Sequence, residues 1–323
     1  MKVGRILVDG DPAVYRAGFA AQTTHYVIVY EKDGVLGEHV QEGDSRPWQR
    51  QLIKDGGTVL HVETRIVPQD VSIAYMALDA QFKAIYRKCS DHFGGTHKHG
   101  MEIIMSGTGN YRDKIATVLG YKANRKDMVK PVHFKAIREY LKQSWSATFV
   151  DGREADDEVA TRMVHATQDG TPCVLVTIDK DLDQIPGLHY NYKNHVFYYV
   201  TQEEGVLLFY AQALSGDQTD NIPGLRGIGP SKAMDAVLGW HKDWLEFTSV
   251  NKQERTQLGL EKFLWMNVVS CYEKIPLGLA GEAKYEGTKT AEELALEMAR
   301  LVFLQRYRNQ LWTPPGALAE EIG

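Results

Sequence analysis

Cys173-Val174-Leu175-Val176-Thr177-Ile178-Asp179-Lys180-Asp181 is a continuous apolar run, rich in β-branched residues, that ends in two acids. A strand buried on both faces reads this way, and such strands lie in parallel sheets covered by helices. Arg5 to Val8 is a second run of the kind and ends in Asp9-Gly10-Asp11-Pro12, where Pro12 suits the first turn of a helix. Glu102 to Met105 is a third and ends in Ser106-Gly107-Thr108-Gly109. Thr148 to Val150 is a fourth, leading into Glu154-Ala155-Asp156-Asp157 at a helix start. Helical spacing over Val71 to Lys88, and again from Pro131 to about Gln143, supplies the alternating helices. Tyr190 to Val200 reads as a hairpin turning at Lys193-Asn194. The stretch from about 24 to 68 alternates apolar and polar residues around Asp33-Gly34 and Asp55-Gly56-Gly57. It reads as one or two hairpins inserted at the sheet's edge. After Glu203 the pattern is helical. The expectation is an α/β domain over 1–202, with a parallel-type central sheet flanked by helices, and a helical subdomain over 203–323.

The 323 residues, 43% hydrophobic and 10% aromatic, exclude a disordered or collagen-like chain. No apolar run approaches the roughly 18–20 residues that cross a bilayer. Asp9 and Asp11 interrupt the one stretch resembling a secretory core, so no membrane or export route is expected. Cys89, Cys173 and Cys271 lie far apart, with no Cys-x-x-Cys pair. That excludes a disulfide framework and suits a reducing cytoplasm.

The net charge of −5 conceals an asymmetry. Between Asn110 and Lys142, Arg112, Lys114, Lys122, Arg125, Lys126, Lys130, Lys135, Arg138 and Lys142 face only Asp113, Asp127 and Glu139. The acids elsewhere gather at strand ends: Asp9 after one strand, Asp179 and Asp181 after another, Glu154, Asp156 and Asp157 after a third. Ligands of open α/β sheets bind outside the carboxyl ends of the strands. Crowded carboxylates repel one another unless cations neutralise them, and hard oxygen donors favour Mg²⁺ or Mn²⁺. Two such ions can clamp an in-line phosphoryl displacement. A basic segment beside such a cluster suits a polyanionic substrate. Further on, Ser215-Gly216-Asp217-Gln218-Thr219-Asp220-Asn221-Ile222-Pro223-Gly224 runs into Gly227-Ile228-Gly229-Pro230-Ser231-Lys232. Glycines at a helix start, with Lys232 beside them, can hold a DNA phosphate without reading bases. The Gly-x-x-x-x-Gly-Lys-Ser/Thr spacing of a nucleotide-binding loop is absent.

Taken together, Val8-Asp9-Gly10-Asp11, Tyr121-Lys122-Ala123-Asn124-Arg125, Glu154-Ala155-Asp156-Asp157, Asp179-Lys180-Asp181 and the Gly216 to Gly229 stretch resemble the 5′ nuclease (flap endonuclease) superfamily. The bacteriophage 5′→3′ exonucleases, which also remove RNA primers, are the nearest branch. The resemblance implies a PIN-like α/β fold with a helical arch at about 110–143 and a helix–three-turn–helix element in the helical subdomain. It implies a first metal on Asp9, Glu154, Asp156 and Asp157, and a second on Asp179, Asp181, Asp217 and Asp220. Lys122 and Arg125 would stabilise the scissile phosphate and share the catalytic work with Asp9, Asp156, Asp157 and Asp179. Tyr121 would stack near the terminal nucleotide, with Arg112 also on the substrate. Gly227, Gly229, Ser231 and Lys232 would bind the duplex backbone, an element that often carries K⁺ in the family. The implied substrates are DNA with 5′ ends or flaps and the RNA of RNA–DNA hybrids, alongside replication proteins in a phage-infected host's cytoplasm.

One position departs from the pattern. The family places an Asp after the second strand, before an aromatic-Arg pair, whereas this chain has Ser106-Gly107-Thr108-Gly109-Asn110-Tyr111-Arg112. A PIN-like ribonuclease would also gather acids at strand ends, and a structure-selective DNA-binding protein with a decayed site would tolerate the loss. His61, His92, His97 and His99 lack zinc-ligand context and are expected in surface loops, while Trp240, Trp244 and Trp265 are expected in the helical core.

Overall fold

A computed structural model describes residues 4–94, 100–126, 128–250, 255–279, 285, 287–317 and 320–321. His97, His99 and Asp127 lie outside the described residues. In chain order the elements begin with β1 (Arg5–Asp9), α1 (Asp11–Ala20), β2 (Gln22–Lys32), β3 (Val35–Glu42), α2 (Arg46–Lys54) and β4 (Thr58–Pro68). Then come α3 (Val71–His92), β5 (Gly100–Ser106), α4 (Arg112–Ile115), α5 (Phe134–Ser144), β6 (Thr148–Val150) and α6 (Ala155–Gln168). These are followed by β7 (Cys173–Thr177), β8 (Gly187–Asn191), β9 (Val196–Val200), α7 (Gln202–Ser215), α8 (Pro230–Val250), α9 (Gln257–Lys274) and α10 (Ala291–Val302). None of the described helices is long and apolar enough to cross a membrane.

The chain divides into two compact units, and residue 202 is not the boundary. The first unit joins residues 1–10, 86–128 and 147–323, and so holds both the sheet and the C-terminal helices. The second joins 11–85 to 129–146. Strand-then-helix order says nothing about which helices share a core with the sheet. Leu304, just past α10, packs with Leu7, Ile104, Val159 and Leu175 beneath the sheet, while its neighbour Phe303 packs with the helices.

In the first unit, six strands run in the order β6-β5-β1-β7-β8-β9, all parallel except β9, which returns antiparallel beside β8. Ile6, Leu7 and Val8 are wholly buried, as are Val174, Leu175 and Val176. Both strands are covered on two faces, which is why they read as unbroken apolar runs. Covering one face, α6 turns Ala155, Val159, Ala160 and Met163 to the sheet. The helical core gathers Tyr210 of α7, Val237 of α8, Leu264 and Val268 of α9, and Met298 of α10. Trp244 and Trp265 are buried there and Trp240 packs against it, as expected. Thr201 with Glu204, and Thr290 with Glu293, form capping boxes that start α7 and α10.

The second unit holds a separate antiparallel sheet, β3-β2-β4, in place of hairpins on the edge of the main one. Asp33 and Gly34 turn β2 into β3 with φ of 53° and 75°, the left-handed pair that a tight hairpin requires. Trp48 of α2 stacks on His39 at 4.0 Å and meets Tyr30 edge-on, which seats the helix on the sheet. Within this unit Asp79 of α3 accepts from the Tyr140 hydroxyl at 2.7 Å and from Trp145 Nε1 at 2.9 Å.

Candidate active site at the carboxyl edge of the sheet

Because β6, β5, β1, β7 and β8 are parallel, their carboxyl ends lie along one edge, and the acids collect there. Glu154 is the extended N-cap residue of α6, which puts Asp156 and Asp157 in the first helical turn, where the helix dipole favours negative charge. The turn after β7 carries Asp179 and Asp181, and the segment after α7 carries Asp217 and Asp220. Glu154, Asp156, Asp181, Asp217 and Asp220 line one cavity of about 20 Å³, with Tyr121, Arg112 and Gln212 also on its wall. Five of the eight expected acids thus share a site built from both the sheet and the helical part of the first unit.

The other three sit differently. Asp9, buried at the end of β1, accepts from Thr177 Oγ1 at 3.1 Å, and that same oxygen accepts from the Asp179 amide at 3.0 Å. One threonine therefore ties the ends of β1 and β7 together. Asp157 is fully buried with both oxygens engaged. Oδ2 accepts from Arg112 Nη1 at 2.6 Å, and Oδ1 accepts from Arg112 Nη2 at 3.0 Å and the Gln305 amide at 3.1 Å. Asp157, expected on the first metal, is the counter-ion of a buried arginine, and Arg112, expected on the substrate, stands on the cavity wall with its guanidinium engaged by Asp157. Arg112 is 2% exposed and also donates to the carbonyls of Leu301 and Phe303, so it binds α6 to the end of α10. Burial alone would depress its pKa, but Asp157 holds the guanidinium well above its ordinary value.

The basic motif closes over the acids. Tyr121 donates its hydroxyl to Glu154 at 2.6 Å and to Asp220 at 2.8 Å, so the ring expected to stack on a nucleotide has its polar end in the cluster. Lys122 is hydrogen-bonded to Glu154 and lies 3.4 Å from Asp220, while Arg125 pairs with the other oxygen of Asp220. Burial pulls the Lys122 pKa down, yet Glu154 and Asp220 hold it above the usual lysine value. Glu154 shows the converse: burial pushes it up, and Lys122 and Arg112 bring it below the usual range. Acids without such partners go the other way. Asp156 is raised well above a normal carboxylate by burial and by its neighbours Glu154 and Asp157. Asp181 is pushed up to about 7 by burial and by Asp179, Asp217 and Asp220. Burial and Asp220 raise Asp217 as well.

This donor set fits a divalent cation chemically. Five carboxylates face a space large enough for one water-sized occupant, and three of the acids resist ionisation because burial and the neighbouring carboxylates outweigh the cations nearby. Among the described residues, no three His, Cys, Asp or Glu side chains stand in an arrangement that could hold a metal as they are. Glu154 and Asp220 are engaged by Tyr121, Lys122 and Arg125, and these contacts would have to open.

At the departure from the family pattern, Ser106 Oγ accepts from the Ala155 amide at 2.9 Å, so it caps the start of α6. Gly107 donates to Val150 O at 2.6 Å, and a Cβ there would lie 2.3 Å from Asp151 Oδ1 and 2.6 Å from Val150 O. The glycine is required by that close approach; its φ is not in the left-handed region.

Gly227 to Lys232 form an exposed turn that starts α8 at Pro230. Gly227 has φ of 76°, and Gly227 and Gly229 both open to empty space. Ser231 is exposed in the first turn, and Lys232 Nζ donates to Gly227 O at 3.1 Å, which folds the side chain over its own turn.

No family model matches the chain. A flap endonuclease Xni of Shewanella sp. strain W3-18-1 is 31% identical over 128 residues, 36% of this chain and 49% of the relative. DNA polymerase I of Pseudomonas aeruginosa is 31% identical over 135 residues, 37% of this chain and 14% of that protein. The chain spans about half the length of the Xni relatives it matches. Among solved structures, T5 5′-exonuclease with bound divalent metal ions (zinc) superposes with a TM-score of 0.50, covering 93% of this chain and 89% of that one at 15% identity. The fold is that of the T5 5′-exonuclease. The resemblance read from the motifs is borne out by these likenesses.

Within that T5 5′-exonuclease fold, several residues of the site escaped the sequence reading: Thr177, Gln212, Gln305, Asn124 and Asn221. Gln212 Nε2 holds Asp181 Oδ1 at 2.6 Å from a helix that begins 21 residues further along the chain. The two asparagines lie inside the Tyr121–Arg125 and Gly216–Gly229 motifs, where nothing in their residue type marks them out beside the charged residues.

Proposed function

We propose that this chain is a divalent-metal-dependent 5′ nuclease that hydrolyses phosphodiester bonds at 5′ ends and flaps of DNA, and also in the RNA strand of hybrids. The observation that carries the reading is five carboxylates around one cavity, with Lys122 and Arg125 on its rim, in a chain with the fold of a phage 5′-exonuclease. Mg²⁺ is the proposed physiological ion. Glu154, Asp156, Asp181, Asp217 and Asp220 would hold it, with Asp9 and Asp179 supporting them through Thr177. When bound, it supplies positive charge and lowers the pKa of water. This chain's residues do the rest. Lys122 and Arg125, released from Glu154 and Asp220, bind the scissile phosphate and stabilise the negative charge that grows on it in line. Arg112 keeps Asp157 neutralised and α6 in place. The exposed turn from Gly227 to Lys232 grips the duplex backbone at a distance from the chemistry, through its amides and Lys232. Replication or recombination in a phage is the proposed setting, on the resemblance of the motifs to the bacteriophage branch.

The test uses one flap substrate labelled at the 5′ end and, separately, at the 3′ end, with Mg²⁺ or with chelator. Release of the 5′ label only, and only with Mg²⁺, is the expected result. Equal loss of both labels, or cleavage confined to single-stranded RNA, would remove the 5′ polarity and favour a PIN-like ribonuclease.

A further inference from the structure

We infer that Asn124 and Asn221 are positioning residues that dock the loop bearing Lys122 and Arg125 onto the loop bearing Asp217 and Asp220, and this inference rests on the nuclease reading above. The two segments run side by side and exchange hydrogen bonds that involve the backbone. The Lys122 amide donates to Asp220 O at 2.8 Å. Asn124 Nδ2 donates to Gln218 O at 2.8 Å, and Arg125 Nε to Thr219 O at 2.9 Å. From the opposite side Asn221 Nδ2 donates to Gly120 O at 2.8 Å. Three consecutive carbonyls of the acidic loop, 218 to 220, are thus met by three donors of the basic loop, and Asn221 closes the pairing at its far end.

The backbone supports the same assignment. Lys122 and Asn221 are both left-handed, with φ of 51° and 58°. Such a conformation is costly for a lysine and tolerable for an asparagine, and it persists only where surrounding contacts hold it. Here the contacts that hold Lys122 are the Asp220 carbonyl on its amide and the two asparagine amides flanking it. The ion pairs of Lys122 and Arg125 with the carboxylates cannot do this work during turnover, because the same cations are needed on the phosphate. The amide contacts use no charged group, so they can keep the basic loop in register with the acids while the side chains change partners.

Asn124→Ala and Asn221→Gly are the variants, the second chosen because glycine accepts the left-handed backbone. Hydrogen exchange over residues 118–126 should quicken in both, with the melting temperature nearly unchanged, because Asn124 is exposed and Asn221 lies in a surface turn. Single-turnover cleavage of a 5′ flap should fall roughly three- to tenfold in each, the size of one lost hydrogen bond, while flap affinity stays within about twofold. Unchanged cleavage by both variants, beside an active wild type, overturns the inference alone. A wild type that does not cleave overturns the nuclease reading and the inference with it. Equal losses in affinity and rate would also overturn it, since they would mark the asparagines as substrate contacts.

Discussion

Arg112→Met would strand Asp157 in the interior. The wild-type carboxylate is fully buried and takes two hydrogen bonds from a guanidinium that is itself 2% exposed. Its remaining partner is the Gln305 amide, a neutral donor at 3.1 Å. Removing one member of a buried ion pair costs about 3–5 kcal/mol, because the other charge stays desolvated. The carbonyls of Leu301 and Phe303 lose their donor at the same time, which keeps the expected loss toward the upper end. At about 2–4 °C per kcal/mol for a large domain, the melting temperature should fall on the order of 10 °C. The control is Arg112→Met combined with Asp157→Asn, which removes the orphaned charge yet leaves an oxygen for Gln305. Urea and thermal unfolding of the wild type, both single variants and the double variant at pH 7 complete the cycle. The double variant should recover at least half of the loss. A single Arg112→Met variant within about 1 kcal/mol of wild type would refute the claim that this pair, and not a bound ion, neutralises Asp157.

Asp181, pushed up to about 7 against about 3.9 in an unfolded chain, keeps in the fold a proton that unfolding releases. Its contribution to stability is therefore full below about pH 4 and is lost as pH rises to 7. In chelator, Asp181→Asn should raise the melting temperature more at pH 8 than at pH 5, and equal gains at both would contradict the assignment. Ser106→Asp preserves an acceptor for the Ala155 amide while adding a carboxylate, so calorimetry should find tighter Mg²⁺ binding. Gly107→Asp should instead destabilise by about 1–3 kcal/mol in urea, because its Cβ meets Val150 O. Arg125→Ala should lower the single-turnover rate more than affinity, whereas Lys232→Ala should weaken duplex binding and flatten its salt dependence by roughly one counterion. Identical profiles for those two variants would erase the division between them.

The strands and the acids were legible for one reason. A parallel strand buried on both faces leaves an unbroken apolar run, and the residue that stops the run marks the sheet's carboxyl edge. Asp9, Asp179 and Glu154 could be placed there from Arg5–Val8, Cys173–Ile178 and Thr148–Val150 alone. The partnership of Arg112 with Asp157 could not, because the two are 45 residues apart and each resembles its neighbours in charge. Arg112 stands in a basic stretch and was read with it; only burial distinguishes it. The second unit was hidden for a related reason. It is assembled from two separate segments, and alternation in β2 to β4 reports half-buried strands without naming the sheet they join. Between those strands α2 went unread, since Trp48 and Leu52 are the principal residues it turns inward among Arg, Gln and Lys.

The central claim is that the carboxylates at the sheet's edge are the catalytic metal site of a nuclease, and Asp156→Asn tests it most directly. Asp156 lines the cavity, has no cation hydrogen-bonded to it, and is raised well above the ordinary carboxylate range by burial and by the carboxylates beside it. The measurement is single-turnover cleavage of a 5′-labelled flap in Mg²⁺, with flap affinity determined in parallel in chelator. Cleavage should fall by at least a thousandfold, on the order of 4 kcal/mol of barrier, with affinity unchanged or slightly improved by the lost negative charge. Wild-type cleavage by Asp156→Asn would contradict it outright.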